Sequence, residues 1–412
     1  MAKQNDSDLN HEIASFYRRW HDFESSQQDN AQVIDFDFWP GEIEGNYPRF
    51  DNRFGVFKSL GSIQERLAAA DPKDFSNHTF LTQKLKGSNA YLRALMGERI
   101  PFQEYISATL GFQPVRLDES MFAAMVEDLQ EPLTKKGITW RSEDAERYRE
   151  ATNYGDPRRF GEEIRRRATY WVEKVRQMLG LEVEPHYTVE EASEDEYWTN
   201  WIDGGLKNGI RLRVNVHPRI RHRKGQDIGL AAHEIAGHAL QIFELNDQRC
   251  QGKIDPVSML TTVHTCELFQ QEGLAQSVIH LVGEMSEFGE DFLVQDMVEQ
   301  YHLAVLQNAH LDLEEGRSVA EVIDHVLGIA PFIEERRVIS DLRDRSRSPF
   351  FRALMFVYYP SKVEFLRARQ LPKEVRQTFL RSQYQQFHTP GQISMQLDEL
   401  LGEKLVGSAQ SS

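Results

Sequence analysis

The segment GLAAHEIAGHALQ contains three residues that could bind a metal ion and use it: His233, Glu234 and His238. Two neutral imidazoles on one helix, with a carboxylate beside one of them, form the working half of many zinc peptidases. In such sites the histidines bind the metal and the carboxylate accepts a proton from the attacking water. His233 and His238 are therefore candidate metal ligands, and Glu234 is the candidate general base.

The spacing of the two histidines makes a structural demand. In the common motif HExxH the histidines are four residues apart, which leaves their side chains about 40° apart around a helix. Here HEIAGH, an HExxxH spacing, separates them by about 140° in a regular α-helix, too far to share one ion. We therefore predict one extra residue in this turn, as in a π-bulge, and Gly237 is the position where that distortion costs least.

A third ligand should come from the segment FQQEGLAQ, where Glu272 follows His238 by 34 residues. Zinc sites in peptidases take three protein ligands and keep a fourth position open for water. An antiparallel helix pair would return Glu272 to the histidines, and Gly273 beside it would permit close approach to the metal. His264 and Glu267 on the same predicted helix are rival ligands. We choose Glu272, and the predicted cofactor is one zinc ion, Zn2+.

The QEGLA sequence at 271–275, with an HE…H helix shortly before it, resembles the QEGLA-motif family, which includes tubulin tyrosine carboxypeptidases. The HALQ after the second histidine is similar to a bacterial family with HExxPGHxxQ followed by an EGxA-type glutamate. It is also similar to the thermostable carboxypeptidase Taq family, with HExGHALY. The five-residue spacing resembles the HExxGH of dipeptidyl peptidase III.

All four families are zinc peptidases with a glutamate as third ligand, and the resemblance covers about 209–282, with a weaker similarity at 352–369. It implies that His233, His238 and Glu272 are the ligands and that Glu234 is the general base. The implied activity is cleavage of a peptide or related amide bond by metal-activated water.

An oxyanion formed in this reaction needs a donor besides the metal. The segment FRALMFVYYPSK supplies Tyr358 and Tyr359, and related enzymes supply a tyrosine from a C-terminal helix. Tyr358 lines up better with the late tyrosine of the HExxPGHxxQ family, eleven residues before Arg369. We therefore predict Tyr358 as the catalytic donor.

The direction of cleavage is predicted from a basic run between Arg211 and Lys224 that contains no acidic residue. An enzyme that trims a C-terminus must recognise a free carboxylate, and the guanidinium fork of arginine suits this best. Arg219 and Arg221 are the candidate substrate-binding residues, because they follow the strand ending in NVH. That strand is expected to be an edge strand beside the helix that carries His233 and His238, where it would hold an extended substrate by strand addition. The expected enzyme is an exopeptidase of the carboxypeptidase type.

Two alternatives belong to other classes. Two histidines and one carboxylate also form the iron site of non-heme iron oxygenases, although such enzymes need no base beside a ligand, as Glu234 would be. A non-catalytic regulator could keep the peptidase fold for binding partners, and the intact Glu234 argues against that as well.

The composition predicts which partners and which cellular location the protein has. The chain has 412 residues and a net charge of −16 at pH 7, which opposes nucleic-acid binding because that requires a basic surface. Cys250 and Cys266 are the only cysteines, so no disulfide framework or cysteine-based zinc site is expected. The N-terminus is polar, and no run of about 18 apolar residues occurs. We therefore expect a cytoplasmic protein with a peptide or small amide substrate and no membrane partner; the oligomeric state stays open.

The elements that must position these residues are mostly helical. The best-marked helix begins at DPRRF, with Asp156 as cap, Pro157 in the first turn and Gly180 after the end. Strand signals lie at 181–217, where YWTNWID and the alternating segment from Ile210 to Val216 predict a hairpin, and Leu181 and Val183 begin a third candidate strand. Helices resume near 227–246 and 256–284.

The predicted fold is mainly α, a helical zincin-like metallopeptidase with one small β-sheet next to the active-site helix. We expect an N-terminal helical half over 9–180 and a metallopeptidase catalytic half over 181–402. No linker composition separates these halves, so they should form one continuous unit.

Overall fold

The computed structural model describes residues 2–35, 48–195 and 198–409, and of these the side chains of residues 9–35, 48–195 and 198–402. The chain is mainly helical with one small sheet, as predicted. The helices before the sheet are α1 (Ala2–Ser25), α2 (Arg53–Ala69), α3 (His78–Leu95), α4 (Phe102–Thr109), α5 (Glu119–Lys135), α6 (Ala145–Thr152) and α7 (Pro157–Leu179). Among the described residues no helix is both long and apolar enough to cross a membrane.

The helices after the sheet begin with α8 (Gln226–Ala231), which runs through a π-helical segment (Ala232–Ala239) into α9 (Leu240–Cys250). The others are α10 (Glu267–Val282), α11 (Glu290–Glu314), α12 (Val319–Ile329), α13 (Glu335–Arg347), α14 (Pro349–Leu366), α15 (Lys373–Gln385) and α16 (Pro390–Ala409). Short 3-10 turns lie at Pro72–Asp74, Ser142–Asp144, Pro256–Met259, Met285–Glu287 and Arg367–Gln370.

Helix α7 confirms the sequence signals at both of its ends. The Asp156 side chain accepts a hydrogen bond from the Arg158 backbone N–H at 3.0 Å, and Pro157 occupies the first turn. Gly180 ends the helix with a left-handed backbone, at a φ of 63°, which glycine adopts without steric cost. The buried face of the helix carries Phe160, Ile164, Ala168, Trp171 and Val175, which recur every three or four residues.

The sheet has three strands: β1 (Tyr187–Ala192), β2 (Asn200–Gly205) and β3 (Gly209–Asn215), in the order β1-β3-β2. Strands β2 and β3 form the predicted antiparallel hairpin, and β1 pairs with β3 in parallel. The third strand therefore begins at Tyr187, later than the candidate beginning at Leu181. Leu181 is instead buried directly after α7, because its apolar side chain completes the core at the end of that helix.

The prediction that the strand ending in NVH is an edge strand is wrong. That strand, β3, lies in the centre of the sheet, with buried Ile210, Leu212 and Val214. A strand whose apolar side chains alternate so cleanly is covered on one face, but the alternation does not tell how many neighbours pair with its backbone. The antiparallel edge strand is β2.

The predicted helix over 256–284 is interrupted, and this determines where Glu272 lies. A 3-10 turn at Pro256–Met259 is followed by an irregular segment, and α10 begins only at Glu267. The Asp255 carboxylate accepts a hydrogen bond from the Ser76 backbone N–H at 2.7 Å, and the Glu267 carboxylate accepts one from the Thr262 N–H at 2.8 Å. These side chains hold the segment in a non-helical path.

One hydrophobic core joins the two ends of the sequence. It contains Ile13 and Trp171 from the N-terminal half together with Ile235 of the π-helical segment and Phe356 of α14. A second cluster forms between α5, α11, α12 and α13. The helical segment that carries His233 and His238 is therefore packed against side chains from helices that precede the sheet in the sequence and from helices that follow it.

Candidate metal centre

The helix that carries His233 and His238 is π-helical over Ala232–Ala239, which confirms the distortion predicted from the five-residue spacing. In a π-helix the backbone bonds run between residues five apart, so side chains at this spacing lie on one face. The Tyr384 hydroxyl donates a 2.6 Å hydrogen bond to the Ala236 carbonyl inside this segment. A buried tyrosine thus satisfies a carbonyl where the regular helical ladder is disturbed.

Gly237 and Gly273 serve helix packing. A Cβ at Gly237 would lie 2.6 Å from the Cα of Ala275 on α10, and one at Gly273 would lie 2.5 Å from the Phe365 ring of α14. Gly273 therefore permits close approach to α14, whereas the sequence reasoning assigned it to approach to the metal. The two glycines let the π-helical segment, α10 and α14 pack closely enough to share one site.

The predicted ligand atoms converge. The Nε2 atoms of His233 and His238 are 3.2 Å apart, and the Glu272 carboxylate oxygens lie 3.6 Å from His233 Nε2 and 3.7 Å from His238 Nε2. One ligand atom from each residue lies within 4.8 Å of the others. A tetrahedral ion with bonds of about 2.0–2.2 Å places its ligand atoms about 3.3–3.6 Å apart. The triad therefore has dimensions that fit one ion.

The bonding of Glu272 supports the same fit. Its Oε2 atom is buried and has no hydrogen-bond partner in the described part of the chain. A buried carboxylate oxygen without a donor costs free energy that a cation would recover. The two imidazoles and one carboxylate are also the ligand types that zinc accepts.

The electrostatics of the triad agree with metal binding. Burial lowers the pKa of His238 to about 4, and burial together with the charges of His238 and Lys362 lowers the pKa of His233 well below its ordinary value. Both imidazoles are thus neutral, as a metal ligand requires. Burial, helped by the Glu234 and Asp35 carboxylates, raises the pKa of Glu272 well above its ordinary value. Without a cation the ionised form of Glu272 is therefore disfavoured, and a bound cation would favour it.

Glu234 is buried next to the triad and has a partner that sequence reasoning missed. The Asn200 side-chain amide on the edge strand β2 donates a 2.9 Å hydrogen bond to the Glu234 Oε1 atom. Burial raises the pKa of Glu234 to about 7, and the Asn200 hydrogen bond opposes the rise. A carboxylate with a pKa near neutrality is well suited to accept and return a proton. Nothing in the spacing of the motif pointed to Asn200, because it comes from the sheet.

The two late tyrosines differ in how the glutamates of the site affect them. Burial raises the pKa of Tyr358 far above its ordinary value, and the charges of Glu272 and Glu234 add to the rise. The pKa of Tyr359 is raised by burial alone. The Gln276 side chain of α10 donates a 3.0 Å hydrogen bond to the Tyr358 carbonyl and ties this part of α14 to α10. The role of Tyr358 as the catalytic donor stays a prediction.

The rival ligands belong to a different cluster. Glu267 forms a fully buried ion pair with Lys84 of α3, and His264 Nε2 lies 3.1 Å from the Ser88 hydroxyl. The His264 ring also stacks on Tyr91, with centroids 4.1 Å apart. The Glu267 carboxylate is satisfied by protein groups, and His264 is held through its Nε2 atom and its ring face, although its Nδ1 atom has no hydrogen-bond partner in the described part of the chain. Neither residue belongs to the candidate metal triad found among the described residues.

The basic run is neutralised by acids from distant parts of the sequence. Arg219 lies 2.7 Å from Asp195, and Arg221 lies 3.5 Å from Glu146. Both arginines are exposed, and no described contact joins either of them to the metal triad. A substrate carboxylate would have to compete with these acids. Their predicted role in substrate binding stays a prediction.

The chain was compared with known proteins. No family model and no curated protein matches it. Among solved structures, a protein from Colwellia psychrerythraea described as a lipoprotein superposes with a TM-score of 0.57 at 14% identity, covering 85% of this chain and 70% of that one. Metallocarboxypeptidase 1 of Trypanosoma cruzi superposes over 98% of this chain and 99% of that one, at 10% identity and a TM-score of 0.42. The first likeness concerns the fold alone, and the second is too weak to support an argument.

Proposed function

We propose that this protein is a zinc-dependent hydrolase that cleaves a peptide or related amide bond. The observation that carries the proposal is the convergence of His233, His238 and Glu272 at distances that fit a tetrahedral ion, with a buried Glu272 oxygen left without a donor. Zinc bound by such ligands activates water and polarises a carbonyl group.

The other residues of the site have roles that follow from their positions. Glu234 follows the ligand His233 directly and has a pKa of about 7, so its carboxylate would accept a proton from the attacking water and return it to the leaving amine. The Asn200 amide holds one Glu234 oxygen and leaves the other available. The Tyr358 hydroxyl, which stays protonated because its pKa is raised, would donate to the developing oxyanion.

We further propose that the enzyme is an exopeptidase of the carboxypeptidase type, with Arg219 and Arg221 as candidate carboxylate-binding residues. This part of the proposal rests on the sequence. Both arginines are exposed and paired with acids on the surface, so a substrate carboxylate would have to displace those acids. A peptide with a free C-terminus, compared with its C-terminally amidated twin, tests it. Preferential cleavage of the free form is expected, and equal cleavage of both would contradict this direction.

The hydrolase proposal is tested with the zinc-loaded protein and a peptide library. Glu234→Gln should keep the zinc and lower turnover by about a hundredfold or more, because only the proton acceptor is removed. Glu244→Gln is a matched control on α9, since the Glu244 carboxylate is buried and accepts hydrogen bonds from Gln248 and Gln385 at 2.8 and 3.0 Å. Near-wild-type turnover by Glu234→Gln, or no cleavage of any peptide by the wild type, would overturn the proposal.

A further inference from the structure

The surface carries a cleft that none of the residues His233, His238 and Glu272 lines. A cleft of about 480 Å³ lies between the C-terminal ends of α7 and α10 and the first turn of α15. Its volume falls within the range of small-molecule sites. Nothing in the proposed hydrolase chemistry uses this cleft.

The cleft is basic, although the protein as a whole is acidic. Its lining contains Lys174, Arg369, Lys373 and Arg376 but a single carboxylate, Glu284, in a chain with a net charge of −16. Lys174 is paired with Glu287. Across the described ranges the other three cations form no ion pair, and two of these, Arg369 and Lys373, are exposed. This contrasts with the run from Arg211 to Lys224, where acids neutralise the arginines.

One nitrogen of the Arg376 guanidinium group lacks a hydrogen-bond acceptor. Its Nε atom is buried and has no acceptor among the described residues. A buried donor without an acceptor is costly and is rarely left so in folded proteins. Arg376 also lies in the first turn of the 13-residue helix α15, whose N-terminal end adds positive potential. Arg376 therefore lacks an acceptor within the described part of the chain, and an anion with acceptor oxygens would suit its charge.

Apolar side chains also line the cleft. They belong to Met178 of α7, Leu281 of α10 and Phe288. A ligand that fills the cleft should therefore carry both an anionic group and an apolar body. Three unpaired cations match a phosphate group better than a carboxylate, because phosphate carries close to two negative charges and offers three acceptor oxygens.

We infer that this cleft binds a small organic phosphate, with the phosphate group held by Arg369, Lys373 and Arg376 and an apolar body lying against Met178, Leu281 and Phe288. The inference does not depend on the proposed hydrolase activity, because no residue of the triad lines the cleft.

Isothermal titration with phenyl phosphate tests the inference on the full-length, zinc-loaded protein. The wild type should bind it saturably at one site, and more tightly than inorganic phosphate. Lys373→Ala/Arg376→Ala should weaken binding by about tenfold or more, because two charged donors are lost. Arg369→Ala, at an exposed position, should weaken binding by a smaller factor and serves as a second variant if the double variant folds poorly.

Two controls locate the binding. Lys207→Ala/Lys253→Ala removes the same charge from two exposed positions outside the cleft and should leave the affinity unchanged. His238→Ala, which disables the metal triad, should leave it unchanged as well. No binding by the wild type, equal affinity in the Lys373/Arg376 variant, or loss of binding in His238→Ala would overturn the inference. Equal affinity for inorganic phosphate would contradict its apolar part.

Discussion

Helix α10 carries two buried glutamates five residues apart, and their surroundings differ in kind. The Glu267 carboxylate accepts hydrogen bonds from the Lys84 ammonium and from the backbone and hydroxyl of Thr262, each of the latter two at 2.8 Å. In the described part of the chain the Glu272 carboxylate pairs with two histidine nitrogens, at 3.6 and 3.7 Å, and its Oε2 has no donor. A buried carboxylate that the protein satisfies needs no ligand, whereas one left unsatisfied marks a candidate ligand site.

The difference extends to the neighbours of each glutamate. Around Glu267 the hydrogen bonds continue inside the protein, from the Lys84 ammonium to the Leu260 carbonyl at 2.6 Å and between the hydroxyls of Tyr17 and Ser88 at 2.7 Å. Around Glu272 the neighbours are two neutral imidazoles and the carboxylate of Glu234. The Glu267 carboxylate is satisfied by protein donors, whereas among the described residues the Glu272 carboxylate lacks a donor that a bound cation would replace.

Stability measurements on metal-free protein should separate the two clusters most strongly. Lys84→Met leaves the Glu267 charge buried without its counterion and should lower the free energy of unfolding by about 3–5 kcal/mol. Glu272→Gln replaces a buried carboxyl group whose ionised form is disfavoured in metal-free protein, so the free energy of unfolding should stay the same or rise. Denaturant titration measures both values. Equal destabilisation by the two substitutions would contradict the difference between the surroundings of Glu267 and Glu272.

The two tyrosines of α14 test whether the cluster around Glu272 takes part in catalysis. Tyr358→Phe should lower kcat by about 10²–10³-fold with little change in KM, because a donor to the transition state is lost. Tyr359→Phe is the matched control and should keep most of the turnover, since neither glutamate of the site influences the pKa of Tyr359. Steady-state kinetics on one peptide substrate distinguishes them, and a larger loss in Tyr359→Phe would contradict the assignment.

Asn200 tests whether the hydrogen bond to Glu234 positions the base. Asn200→Ala should lower kcat by about tenfold, the loss expected for one hydrogen bond to a charged group, and should leave the zinc content unchanged. Asn208→Ala, at an exposed position in the turn between β2 and β3, is the control and should show wild-type kinetics. A loss of zinc in Asn200→Ala would indicate a structural role instead.

The smallest expected effect concerns the contribution of His264 to the pH dependence of the free energy of unfolding. Burial holds the pKa of His264 well below its ordinary value, so the folded protein keeps this imidazole neutral when the unfolded chain takes up a proton. Stability should therefore fall as the pH falls below about 6.5. His264→Gln should reduce the slope by up to about 1.4 kcal/mol per pH unit, and His325→Gln at an exposed position is the control. An unchanged slope in His264→Gln would contradict the prediction.

Local patterns predicted those features that depend on neighbours in the sequence. The five-residue spacing of His233 and His238 required a distorted helix because two ligands must reach one ion, and the alternation around Leu212 indicated the hairpin. The unpredicted features depend on distant partners. Lys84 lies more than 180 residues before Glu267 and helps fix the start of α10, and Asn200 reaches Glu234 from a strand whose edge position no alternation encodes.

The basic run illustrates the same limit. In the sequence, Arg219 and Arg221 stand in a stretch without acids, which suggested free cations. In the fold, Asp195 and Glu146 pair with them. Within the described ranges, cations without an ion pair include Arg369, Lys373 and Arg376, which the sequence did not single out. Charge balance is a property of the folded surface.

The metal content of the purified protein tests the central claim most directly. Elemental analysis after loading with zinc should find one ion per chain in the wild type and in His264→Gln, whose histidine lies outside the triad and contacts Ser88 and Tyr91, and none in His238→Ala. A wild type without zinc, or a His238→Ala variant that binds as much zinc as the wild type, would contradict the assignment of His233, His238 and Glu272 as a metal centre.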